Sequence, residues 1–149
     1  MGLNTFFYQV GLYNWCAMKE LLRKLVQAET TAQKGELTAA QTISAELGRS
    51  GIDSQIDSWD QTRANIIAQV KSPGRKAAPL RHRPSPRRAL LFVCHLDVVG
   101  PGEADWRHPP FAAVESDGKI HGRGSADMKG GIAAIVTAIR QIVDAGTQL

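Results

Sequence analysis

Three side chains in this sequence have the types and spacing for metal chemistry: His95, Asp97 and Asp127. His95-Leu96-Asp97 directly follows an apolar run at residues 89–94 (ALLFVC). In an extended chain residues i and i+2 share a side, so His95 and Asp97 can face one site while Leu96 packs behind. A neutral imidazole is a good zinc ligand, and a nearby carboxylate orients it and raises its basicity. His-x-Asp is common by itself, and a surface or capping role is its alternative. Asp127 stands in GRGSADMKGG, residues 122–131, between a glycine loop and a helical pattern. It reads either as a helix N-cap or as a hard carboxylate ligand for a divalent metal, held by a tight loop. A dinucleotide fingerprint fits poorly. Gly122-x-Gly124 runs on to Asp127 rather than to glycine or alanine, and a carboxylate there would repel a pyrophosphate.

Several elements must position these groups. The continuous apolar run 89–94 predicts a central strand covered on both faces. Ligands of open α/β sheets lie at the carboxyl ends of strands, where the His-x-Asp pair falls. Ser116-Asp117-Gly118 predicts the turn of a small hairpin over 111–120. Residues 121–126 form a glycine loop, and Ile132, Ile135, Val136, Ile139, Ile142 and Val143 predict a helix that ends at Gly146. Upstream, Met18, Leu21, Leu22 and Leu25 predict an amphipathic helix over 18–27, and Ala40, Ile43 and Leu47 a second over 37–47. Residues 52–59 and 64–70 read as strands. Helices, strands, buried strand, loop and helix in this order predict an α/β sandwich.

Neither motif decides the matter alone, but their joint occurrence is specific. The stretch 91–134 resembles the dinuclear zinc metallopeptidase family that includes aminoacylase, acetylornithine deacetylase, succinyl-diaminopimelate desuccinylase and glutamate carboxypeptidase. The resemblance is carried by His95-x-Asp97-Val98-Val99, Trp106 with Pro110-Phe111, Asp117-Gly118-Lys119, Gly122-Arg123-Gly124 and Asp127-Met128-Lys129-Gly130. It implies an α/β/α sandwich of the zinc-peptidase type, of which residues 18–149 would be the N-terminal part. His95 would ligate one zinc ion, Asp97 would act in catalysis by holding His95 in its metal-binding orientation, and Asp127 would bridge two zinc ions. A complete active site would hold two Zn2+, with Co2+ or Mn2+ as substitutes. The reaction implied is hydrolysis of an amide bond in an N-acyl amino acid or small peptide, of the desuccinylase or deacetylase kind. The full-length form would be a homodimer.

Departures from the family pattern matter as much. The family uses a Glu-Glu pair, first as general base and then as ligand, and this sequence contains no Glu-Glu dipeptide. A further acidic ligand, a distant histidine and the dimerisation or lid domain also lack counterparts. The chain is therefore expected to be an incomplete catalytic domain with negligible hydrolase activity of its own. Cys94 stands where the family has glycine, and strand alternation predicts a buried structural thiol there, with an extra soft metal ligand as the minor alternative. His108 and His121 are expected to be loop or solvent histidines, with a ligand role as the minor alternative.

Composition narrows the alternatives. The chain has 149 residues, 43% hydrophobic and 21% charged, which excludes collagen-like, coiled-coil and wholly disordered classes. The net charge is +4, yet residues 71–88 hold seven basic and no acidic residues, so the remainder carries 11 basic against 14 acidic. That segment also holds four of the seven prolines and reads as an extended, basic insertion. A nucleic-acid-binding module built on 71–88 is the minor alternative, weakened by the lack of interleaved aromatics. No nucleic-acid or membrane partner is expected. Residues 1–17 are apolar and aromatic but lack a positive charge before Lys19. They make a poor signal peptide and read as a weakly packed N-terminal extension. Two cysteines cannot make a disulfide framework, and the cytoplasm is the expected compartment.

Overall fold

A computed structural model describes residues 3–70 and 90–147, with side chains from Trp15 onward. In chain order it contains α1 (Leu3–Gln27), α2 (Leu37–Gly48), a hairpin of β1 (Ser54–Ser58) and β2 (Ala64–Ala68), a hairpin of β3 (Val114–Ser116) and β4 (Lys119–His121), a wide irregular turn at Ser125–Lys129, and α3 (Gly130–Asp144). This is mixed α/β content. The sheets among the described residues are two antiparallel pairs.

The helices form where apolar residues recur at helical spacing, and those residues make the core. Leu21 and Leu25 of α1, Ala39, Ile43 and Leu47 of α2, and Ile132, Ala133 and Val136 of α3 are buried in one cluster. Spacings of three and four place each set on one helix face. Ile52 joins the cluster, and Ile66 of β2 packs against it. The first hairpin is in register with Ile56 opposite Ile66. Its loop is tied by Asp60, whose carboxylate accepts the backbone N–H groups of Thr62 (2.6 Å) and Arg63 (2.7 Å). Those two bonds hold the Asp60 carboxyl below its usual range. Arg63 then pairs with Glu36 at 2.9 Å, and Leu37 donates to the Thr62 carbonyl at 2.8 Å, so the start of α2 is docked on the hairpin. Glu46 and Arg140 form an ion pair between α2 and α3, and Arg140 Nε also donates to Ser50 Oγ at 2.9 Å.

Three expectations change. Helix α1 starts at Leu3, not Met18, so the presumed extension is continuous with the amphipathic helix. Residues 90–94 pair with no strand among the described residues, and Leu90, Leu91, Phe92 and Val93 are exposed. A strand needs partners on its edges and cover on its faces, and no described segment supplies either. Cys94 is consequently exposed rather than a buried thiol. The second hairpin does form, with both turn residues at positive φ (Asp117 54°, Gly118 70°), as a tight two-residue turn requires. Segment 71–88 lies outside the described residues. No helix among the described residues is long and apolar enough to cross a membrane.

Candidate metal centre

Two separate pieces of backbone carry the site, and each is fixed by buried contacts. The first is residues 95–98. Thr30, in the connection after α1, is fully buried. Its hydroxyl donates to the Leu96 carbonyl at 2.5 Å, and its own carbonyl accepts the Val98 N–H at 2.9 Å. Leu96 packs against the core and Val98 is buried. Alternation then turns His95 and Asp97 to the other side, where both are exposed.

The second piece is the glycine loop and the turn after it. Gly124 has φ +80°, and a Cβ placed on it would meet Val98 Cγ1 at 2.5 Å. A Cβ on Gly122 would meet Val26 Cγ1 of α1 at 2.6 Å. Both glycines thus permit a close approach that any side chain would block. The loop is further tied by Arg123 N–H to the Pro110 carbonyl (2.6 Å) and Lys129 N–H to the Gly124 carbonyl (3.0 Å). The contact of Gly124 with Val98 is what brings the His-x-Asp segment beside Asp127.

The three sequence-predicted residues come together. His95 Nε2 lies 3.1 Å from Asp127 Oδ1. His95 Nδ1 lies 3.1 Å from the Asp97 carbonyl oxygen and 3.4 Å from Asp97 Oδ1. Asp127 has extended dihedrals (φ −124°, ψ 101°) inside the turn, and its side chain is 89% exposed. It does not cap α3, whose first residue has no side-chain cap. The carboxylate is therefore free of the bland structural role that the sequence left open. The Asp127 carboxylate, followed by the Asp97 carbonyl, raises the imidazole pKa above its ordinary value.

The donor chemistry suits a divalent cation. One nitrogen and one carboxylate oxygen converge within a distance at which both could bind a single ion, and an Asp97 carboxylate oxygen lies 3.4 Å from the other ring nitrogen. The donor set is incomplete, because among the described residues no group of three or more His, Cys, Asp or Glu is placed to hold a metal. His108 and His121 take no part in this cluster. Their rings pack on each other with centroids 4.9 Å apart, both part-buried, with His108 in a loop and His121 at the end of β4.

Two residues escaped the sequence reading. Thr30 clamps the segment that carries His95 and Asp97, yet nothing in the polar stretch around it signals a partner 66 residues away. Lys129 is fully buried, and its ammonium finds no hydrogen-bond partner among the described residues. Desolvation lowers its pKa to about 8. Its place next to a glycine-rich turn and a helix start gave no sign of burial.

Parts of this chain are similar to known proteins. Residues 91–149 match the model of Peptidase family M20/M25/M40. That stretch of the chain is similar to the family. Two proteins named probable succinyl-diaminopimelate desuccinylase, from two strains of Staphylococcus epidermidis, are each 34% identical to it over 123 residues. The match covers 82% of this chain and 27% of each relative, so the chain spans about a quarter of the length of these curated relatives. Members of that family are generally metal-dependent peptidases.

Proposed function

We propose that this chain supplies the first ligands of a two-zinc site that hydrolyses the amide bond of an N-acyl amino acid or small peptide, with an N-succinyl or N-acetyl amino acid as the preferred class. The observation that carries the reading is the 3.1 Å approach of His95 Nε2 to Asp127 Oδ1. His95 would bind one zinc ion, Asp127 would bind both, and Co2+ or Mn2+ would substitute. Bound metal would supply Lewis acidity to the scissile carbonyl. Asp97 would keep the His95 Nδ1 proton in place, so that the Nε2 lone pair faces the ion. The two carboxylates would set a negative field that favours the doubly charged ions over water.

On this reading residues 18–149 are the N-terminal part of a catalytic domain, working in a homodimer in the cytoplasm. The 149-residue chain holds no Glu-Glu pair to act as general base, so alone it is inactive. Grafting tests the role. Residues 18–149 would replace the matching stretch of the Staphylococcus epidermidis relative, and the purified chimera would be assayed on N-succinyl-diaminopimelate with Zn2+. Turnover that falls by at least 100-fold in the His95→Ala and Asp127→Ala chimeras supports the proposal. A folded, active chimera indifferent to both substitutions would sink it.

A further inference from the structure

The second histidine cluster has no role in the chemistry above. His108 lies in the loop before the second hairpin, and His121 ends β4. Their rings are 4.9 Å apart between centroids and inclined at 51°. Each Nε2 is closed to solvent and has no hydrogen-bond partner among the described residues. A buried polar nitrogen without a partner is costly, and here two rings 4.9 Å apart each carry one. One occupant could satisfy both.

A neutral imidazole carries a lone pair on one nitrogen, which makes histidine the commonest metal ligand. Two imidazoles sharing one ion at ~2.0–2.1 Å per nitrogen, with an ordinary ligand angle, hold their ring centres roughly 5 Å apart. The observed separation meets that requirement. The neighbouring cation does not oppose it strongly, because the Arg123 guanidinium is drawn onto the face of Trp106, 4.9 Å from the ring centroid. Arg123 Nε is also unpartnered, but a bulky anion could not reach imidazole nitrogens that a water cannot touch. A bare cation is small enough to do so.

We propose that His108 and His121 form a second metal site, separate from the His95–Asp127 centre, that takes a borderline transition cation such as Zn2+, Ni2+ or Cu2+. Imidazole pairs favour these ions over Mg2+ and Ca2+. A backbone oxygen would complete the coordination.

Long-range 1H–15N spectra of the histidine rings, recorded during a Zn2+ titration of the full chain, test this directly. The expected result is that Nε2 of His108 and of His121 shift together, with one shared saturation curve. That response should persist unchanged in His95→Ala and be at least 10-fold weaker at His121 in His108→Gln. Mg2+ should have no effect. Rings that respond independently, that do not respond, or that lose their response only in His95→Ala would overturn the proposal. Should His108→Gln lose the amide pattern of β3 and β4, the coupling of the two rings in the unmodified chain decides the matter.

Discussion

Val98 and Gly124 are in contact, and through that contact His95 comes within 3.1 Å of Asp127, 32 residues further along the chain. Neither of these two residues makes the junction itself. It is made by a buried valine and by a glycine at φ +80°.

Gly124→Ala should therefore damage the site and the fold together. The methyl would meet Val98 Cγ1 at 2.5 Å, and a non-glycine residue at this φ is strained in addition. A loss of roughly 2–4 kcal/mol in denaturant unfolding is expected from the two effects. Gly48, where an added Cβ meets nothing within 4 Å, is the control, and Gly48→Ala should not destabilise.

Thr30→Val keeps the side-chain shape but removes the donor to the Leu96 carbonyl. The expected cost is about 1–3 kcal/mol, since a partly buried acceptor is left unpaired. Hydrogen exchange should show faster opening at the Val98 amide, which bonds to the Thr30 carbonyl, while the α2 amides are less affected. Unchanged protection at Val98 would refute the clamp.

Lys129 makes stability depend on alkaline pH. Its folded pKa is lowered to about 8 from 10.5. Between these values the unfolded chain binds more protons than the folded one, so stability rises with pH across that window. Below pH 8 the buried ammonium costs up to roughly 3 kcal/mol relative to an ordinary lysine. Lys129→Met should stabilise the chain at pH 7 and flatten the rise between pH 8 and 10.5, as measured by urea unfolding at several pH values.

The isolated 149-residue chain should not hydrolyse N-succinyl or N-acetyl amino acids with Zn2+, Co2+ or Mn2+ present, because it contains no Glu-Glu pair. A ninhydrin assay for released amine should stay at the buffer rate. Metal-dependent turnover by this chain would mean that another group serves as base.

Much of the local structure was legible because it depends on local pattern. The period of Ala40, Ile43 and Leu47 placed α2, and Asp117-Gly118 placed the β3–β4 turn. The spacing of His95 and Asp97 placed both on one side of the chain. Their meeting with Asp127 was implied only through the family resemblance, since it depends on packing between distant segments. The same limit explains the failures. The apolar run at 90–94 has the composition of a covered strand, but strand pairing is non-local, and the described residues offer it no partner. Cys94 follows that run into exposure. The Thr30 clamp is a hydrogen bond across 66 residues and leaves no trace in either local sequence.

The central claim is that His95 and Asp127 bind one divalent ion together. Its most direct test is the Zn2+ dependence of the His95 ring nitrogens in the unmodified chain and in Asp127→Ala. A saturable shift at His95 Nε2 is predicted, at least 10-fold weaker in the variant, with the fold retained. A His95 ring that ignores Zn2+, or that responds equally without the Asp127 carboxylate, would contradict it.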